Sequence, residues 1–388
     1  MAACFLPPDR ASLRGERKPE RHDVPLFDPA AFRIPPGAVH VCAGGETPVL
    51  RAQATALERH AEDKSMGPAS RPRLDEEADR LRARLAAFWT VAPEEVGLVS
   101  SVAEGMSILV ESQDWQPGDN VVLAADEYPS VVAPLALRRR AELRLADMMD
   151  AEAVARAADS RTRMIAVSAV SMVDGRRHDL AALRRVADRA GAMLVVDFTQ
   201  ASGWLPIEAS IADFAFSACY KWMLGITGIA MAYWNRARQP AWAPATAGWY
   251  SVAMQGRPDW TQPVALRPDA LRFTRGNPCH AGVYAMHAAM DFLEGFPRGA
   301  VQAHVQTLSA ALLDRLAGAG IASTTPRDPA RHGANVCIAH PRAAAIVEAM
   351  AGQGVLAWNG RGRIRFSFHG YNDAAELDRI MAALRASL

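Results

Sequence analysis

Along the chain, short apolar runs rich in β-branched residues alternate with stretches whose apolar positions recur at helical spacing. "VGLVSS" (96–101), "NVVLAADEY" (120–128) and "RMIAVSAVS" (163–171) read as strands, each followed by a helical pattern: "VAEGMSILVES", "PSVVAPLALRRRAEL" and "DLAALRRVADRAG". "MLVVDF" (193–198) then leads on to "DFAFSA" (213–218) and "GIAMAYW" (228–234). This alternation predicts an α/β domain built on a mostly parallel sheet with helices on both faces. In such sheets ligands sit beyond the carboxyl ends of the strands, which singles out Ser101, Tyr128, Ser171, Asp197 and Lys221.

Before these runs, "PRLDEEADRLRARLAAFWT" (72–90) predicts an amphipathic helix with an acidic first turn. Residues 1–36, rich in proline and charge, read as an arm without a core of its own. From about 291 helices surround the short strands "ANVCIAH" and "GRIRFSFH", and the last helix has Asn372 as its N-cap candidate. The expected organisation is therefore an arm (1–36), a large domain (37–290) and a smaller α+β domain (291–388).

Composition narrows the partners. Half of the residues are hydrophobic and the formal net charge is +1, so nothing global points to nucleic acid or an anionic membrane surface; a small molecule is the default partner. Five scattered cysteines without a C-x-x-C pair suit free thiols in a reducing compartment. The start lacks a signal-peptide pattern, and the longest apolar stretch, Trp222 to Trp234, is well short of the roughly 20 residues that span a bilayer. A soluble cytoplasmic protein is the expectation. The histidines show no metal-ligand spacing. "GQGVLA" (352–357) follows a helix and enters a strand, the reverse of a dinucleotide fingerprint, so Gly352 and Gly354 read as a helix stop.

One charge stands out. In "FSACYKWMLGITGIAMAYW" (216–234) Lys221 is isolated in apolar surroundings, and burying an unpaired ammonium costs several kcal/mol unless it snorkels to water, sheds its proton or finds a partner. Asp197 precedes it by 24 residues at another strand end, where a helix N-cap is the plain alternative. A carboxylate and a lysine at neighbouring strand ends are what pyridoxal-phosphate chemistry requires: the amine forms an imine with the aldehyde, and the carboxylate keeps the pyridine nitrogen protonated.

With these motifs in order over roughly residues 38–388, the chain resembles the fold-type I pyridoxal-phosphate enzymes of the class V aminotransferase group, which includes cysteine desulfurases and kynureninases. The resemblance implies an aspartate-aminotransferase-like large domain with a mostly parallel, seven-stranded-type sheet, a smaller C-terminal α+β domain and pyridoxal 5'-phosphate as cofactor. It makes Lys221 the cofactor lysine, Asp197 the partner of the ring nitrogen and, through D-x-x-Q, Gln200 the partner of the ring hydroxyl. "SSVAEGM" resembles the phosphate turn G-A-T-E-A, which places Ser101, Val102 and Ala103 at the phosphate; Ala103 replaces a threonine there, a loss for which Ser101 is the available hydroxyl. "DEYPSVV" gives Tyr128 as the ring-stacking aromatic, its alternative being a surface tyrosine before proline. Tyr220, in a kynureninase-like Y-K pair, would reach the phosphate.

"FTRGNPCH" resembles the F-x-x-G-T-P segment that crosses to a second subunit, with Asn277 replacing threonine, and implies a homodimer with composite sites. "RIRFSFHGYN" resembles the C-terminal segment whose arginine binds the substrate carboxylate, here Arg365. Strand alternation puts Arg361, Arg363, Arg365 and Ser367 on one face, and for Arg361 and Arg363 a solvated face is the favoured reading.

The reaction expected is transamination of a free α-amino acid. Carbon–sulfur lyase chemistry on a cysteine derivative and kynureninase-like hydrolysis stand as alternatives, with non-catalytic cofactor binding behind them. No cysteine follows Cys337, which disfavours a sulfur-transferring desulfurase; "DGRRHDL" (174–180) favours kynureninase, whereas Gln200 stands where that pattern has histidine. Met172 replaces a frequent asparagine, "VCAGGETP" (41–48) offers main-chain contacts on the substrate side, and "GITG" (225–228) is expected to bring backbone close to the cofactor.

Overall fold

The computed structural model describes residues 24–138, 140–253 and 259–388. The first 23 residues of the expected arm, with Cys4, lie outside the described residues. A seven-stranded sheet forms the centre, in the order Val96–Val99, Ala230–Trp234, Phe214–Ala218, Met193–Asp197, Thr162–Ser168, Asn120–Leu123, Glu142–Leu145. All neighbours pair parallel except Ala230–Trp234, which runs antiparallel to both of its partners. Alternate side chains enter two separate cores: Ile165, Val167, Leu194 and Val196 on one face, Met164, Ala166, Val195 and Phe214 on the other. Burial on both faces explains why these strands read as continuous apolar runs.

The edge strand Glu142–Leu145 corrects the sequence reading, which ran this segment into the preceding helix. The helix is Pro129–Arg138, and the strand that follows is partly exposed and carries Glu142 and Arg144, so it shows no apolar run to announce it. Helix Ser70–Phe88 realises the amphipathic pattern but begins before the acidic residues, so its first turn carries none, while Ala52–Lys64, Ala151–Ala157 and His280–Leu293 are further helices not anticipated. Helix Ala343–Gly352 stops where expected, with Gly354 at φ +78°.

A three-stranded antiparallel sheet, Trp358–Gly360, Arg363–Ser367, Asn335–Ala339, lies in the C-terminal region. The N-terminal segment is tied to it. Val39–His40 pairs parallel with Val355–Leu356, and Cys42 bridges Ser367. Phe27 and Phe32, within the expected arm, are buried, Phe27 against Phe292, Phe296 and His369 at 5.0, 4.6 and 5.1 Å between ring centroids. This part of the arm thus shares the core of the later chain. The last helix is Glu376–Ser387 with Ala375 rather than Asn372 at its N-cap, and Glu376 N donates to Asp373 Oδ1. Asn372 instead bonds His40 O and Glu376, and accepts from His369 N.

Candidate active site

Asp197 ends strand Met193–Asp197, and Lys221 lies in the turn after the neighbouring strand Phe214–Ala218. Two glycines let these ends close up. Gly203, at φ +111°, lies where a Cβ would come within 2.2 Å of Trp222 O, so the turn after Asp197 packs directly on the lysine's segment. Gly105, in helix Val102–Glu111, faces Phe216, where a Cβ would meet the ring at 2.5 Å; its absence seats the start of that helix against the lysine-bearing strand. Thr47 fixes the lysine's backbone by donating to Tyr220 O and Lys221 O at 2.9 and 3.0 Å.

Lys221 is 5% exposed, with Nζ 5.2 Å from the Tyr128 ring centre and 5.6 Å from that of Tyr220. Burial, aided by the positive charge of Arg365, lowers its pKa to about 8, against the opposing pull of Asp197 and Glu46. Asp197 is buried, and desolvation raises its pKa although Thr199 N donates to Oδ1 at 2.8 Å. Tyr220, half-buried, is pushed up to about 12, mainly by desolvation. Gln200 donates through Nε2 to Gly44 O at 2.8 Å and accepts through Oε1 from Trp222 Nε1 and Asn335 Nδ2, both at 3.2 Å. A primary amide has two N–H donors, and one satisfies Gly44.

Ser101 caps helix Val102–Glu111 by accepting from Glu104 N at 3.1 Å, while Val102 is buried and Ala103 half-buried behind it. Glu104 turns back to accept from Ser100 N and Oγ at 2.6 and 2.7 Å. Asn277 is exposed, accepts from Arg71 Nη1 at 2.7 Å, and lines a cavity of about 230 Å³ with Ser100, Glu104 and Gly228. Gly228 thus borders this cavity, whereas Gly225 packs on Met286 and Cys219 O; the "GITG" glycines have different surroundings.

Arg365, 3% exposed, donates to Met172 O at 3.3 Å and lies 5.8 Å from the Trp358 ring centre. It is near enough to Lys221 to depress the lysine's pKa, so the small sheet closes the site from the other side. Arg363 corrects the expectation of a solvated face. It is 4% exposed and donates to the same Met172 O at 3.0 Å, because both faces of strand Arg363–Ser367 are covered. Arg361, by contrast, is exposed, at φ +53° in the turn, and donates to Asp126 O.

Several contributors escaped the sequence reading. Glu127 accepts from Tyr128 N at 2.7 Å and from Ser168 N and Oγ at 2.8 and 2.5 Å, anchoring the backbone that carries Tyr128. Its burial raises its pKa. His178 lies alongside, with Nδ1 2.7 Å from Ser168 O and its pKa lowered by burial. Asn335 and Ser367 flank Gly44, where a Cβ would meet Ser367 Oγ at 2.7 Å and Asn335 Oδ1 at 2.8 Å. The "VCAGGETP" segment is where these contacts were legible, because consecutive glycines signal close approach of backbone.

Residues 48–380 match the aminotransferase class-V family. The chain belongs to that family. This class-V chain is 30% identical over 241 residues to a cysteine desulfurase of Dickeya dadantii, covering 58% of the chain and 57% of that enzyme's length. It is 24% identical over 310 residues to the uncharacterized aminotransferase YcbU of Bacillus subtilis, covering 78% and 81%. Among solved structures, the cystine C-S lyase C-DES, in complex with its product cysteine persulfide, superposes with a TM-score of 0.81 at 20% identity over 90% of this chain and 97% of that one. The class-V chain therefore shares their fold, including the mostly parallel sheet flanked by helices.

The class-V site also fits a pyridoxal-phosphate group on its own chemistry. A buried carboxylate needs a cationic partner, and a protonated ring nitrogen is one. A helix start suits a phosphate, an aromatic face suits a pyridine ring, and a desolvated amine suits an aldehyde.

Proposed function

We propose that the chain is a pyridoxal-phosphate-dependent transferase or lyase acting on a free α-amino acid, with transamination as the first reading. The observation that carries it is Lys221: an amine buried between two tyrosine rings, with Asp197 in its field and a pKa of about 8. When bound, pyridoxal phosphate supplies an electron sink for the pair released at the substrate's α-carbon. Asp197 holds the ring nitrogen, Gln200 the ring hydroxyl and Tyr128 the ring face. The start of helix Val102–Glu111, with Ser101, Val102 and Ala103, and Tyr220 hold the phosphate. Arg365 orients the substrate by its carboxylate, and Lys221 Nζ, neutral for a large fraction of molecules near pH 8, takes the α-proton. The residues group as a large cofactor domain (37–290) and a small domain (291–388) carrying the carboxylate anchor, with Phe27 and Phe32 of the expected arm (1–36) packed into the core of the later chain.

Asn277, exposed and held by Arg71, serves the phosphate of a second copy in a homodimer. No helix among the described residues is long and apolar enough to cross a membrane. A cytoplasmic location is part of the same reading, supported by the free thiols of Cys42, Cys219, Cys279 and Cys337.

Elimination at Cβ is the second reading, favoured by the similarity to a cystine C–S lyase and to a desulfurase. Sulfur transfer through the thiol of Cys42, Cys219 or Cys337 fits less well. Burial pushes Cys42 and Cys219 up to about 12 and Cys337 up to about 11, the opposite of an activated thiolate. A panel of amino acids given to the cofactor-loaded protein separates these outcomes. A transaminase converts its cofactor to the amine form stoichiometrically, whereas a lyase releases ammonia catalytically. Unchanged absorbance with every amino acid would reject both.

A further inference from the structure

Four arginines are buried among the described residues: Arg82, Arg184, Arg363 and Arg365. Arg82 pairs with Asp79 and Asp269, and Arg184 with Asp188 and Asp213. Neither Arg363 nor Arg365 has a carboxylate within ion-pair distance among the described residues. The carboxylates that act on Arg363, Asp174 and Asp126, form their ion pairs with Arg176 at 2.6 and 3.3 Å. Arg363 Nε and Nη1 and Arg365 Nε are buried without a hydrogen-bond partner. A buried guanidinium lacking its counter-charge is strongly disfavoured unless a ligand supplies that charge. One α-carboxylate accounts for Arg365. It leaves Arg363 unneutralised.

Residues two apart on a strand share a face roughly 6.6 Å apart at Cα, and here both side chains bend to one point, the carbonyl of Met172. Arg365 lies on the lysine's side and Arg363 one step further out. We propose that Arg363 selects a second anionic group, so that the site takes an α-amino acid bearing a side-chain carboxylate or sulfinate. Asn335 Oδ1 and Ser367 Oγ, on the same small sheet and paired in register, are also buried and unpartnered, and the Ser367 hydroxyl adds a neutral donor. The inference rests on the reading of Arg365 as the α-carboxylate anchor.

The test uses the cofactor-loaded protein with aspartate, glutamate and cysteine sulfinate against asparagine, glutamine and cysteine, so that the carboxylate and sulfinate arms are separate. Wild-type kcat/KM should favour the anionic member by about 100-fold, since the neutral one leaves a buried charge unmatched. Arg363→Gln should shrink that ratio to about threefold or less, Arg363→Lys should restore part of it, and Arg365→Gln should lower both members of each pair while preserving the ratio. Should Arg363→Gln fail to fold, inhibition of the wild type decides: glutarate must bind at least about tenfold more tightly than butyrate. No anionic preference in the wild type, or an unchanged ratio in a folded Arg363→Gln, overturns the proposal. Absence of any response to any amino acid overturns instead the cofactor reading beneath it.

Discussion

The two sides of the site treat their polar groups differently. On the large-sheet side, Glu127 accepts three hydrogen bonds from its own chain, Asp197 is held by Thr199, and the lysine backbone is held by Thr47. On the small-sheet side, Arg363, Arg365, Asn335 and Ser367 all keep buried polar atoms without partners. A side whose positioning bonds are already made suits a group that stays, because the backbone carrying Asp197, Lys221 and Tyr128 need not rearrange when it is bound. A side left unsatisfied suits a ligand that comes and goes, and on the proposed reading it would discriminate strongly, because a wrong ligand leaves those atoms unmatched.

The largest effect expected tests the satisfied side. Lys221→Ala should lower turnover by ~10⁴-fold while pyridoxal phosphate still binds noncovalently, read as retained cofactor without the wild-type visible band. Normal absorbance in that variant would refute the assignment. On the open side, Arg365→Gln should reduce kcat/KM for amino acids by about 100-fold, mostly through KM, with little effect on amines that lack a carboxylate.

The two sides are also coupled. Only the neutral amine reacts with an aldehyde, so cofactor capture by the cofactor-free protein should rise about tenfold per pH unit and level off above a pH of about 8. An ordinary lysine would keep gaining well beyond that pH. Because Arg365 contributes to the lowering, Arg365→Gln should move the break to higher pH, a shift seen in capture rates against pH. The smallest effect is on stability. Glu127→Gln places an amide where carboxylate oxygens accept from Tyr128 and Ser168, and should cost about 1–3 kcal/mol in denaturant unfolding.

How far the sequence carried the reading follows the same division. Strand ends of a parallel sheet announce themselves through apolar runs, so Asp197, Lys221 and Tyr128 could be located and linked to one chemistry. Glu142–Leu145 could not, since an exposed edge strand has no apolar pattern. Arg363 was misread for a related reason: alternation tells which side chains share a face, but whether that face meets water depends on what covers it. Here the cover includes Met172 O, 191 residues away in sequence. The buried role of Glu127 was equally hidden, because its acceptance from Ser168 is a property of two neighbouring strands and not of the motif around Tyr128.

The pairing of Val39–His40 with Val355–Leu356 has a consequence for biosynthesis. His40 O accepts from Asn372 Nδ2 across 332 residues of chain, and Ser367 bridges Cys42. While the chain is being made, the strands bearing Asp197 and Lys221 emerge long before the arginine strand. The early segment 39–43 must wait, unpaired, until ribosomal synthesis reaches its partners. A newly made chain can thus pair the strands of the large sheet before the strand carrying Arg363 and Arg365 exists, and the surroundings of Lys221 are completed only when that strand arrives.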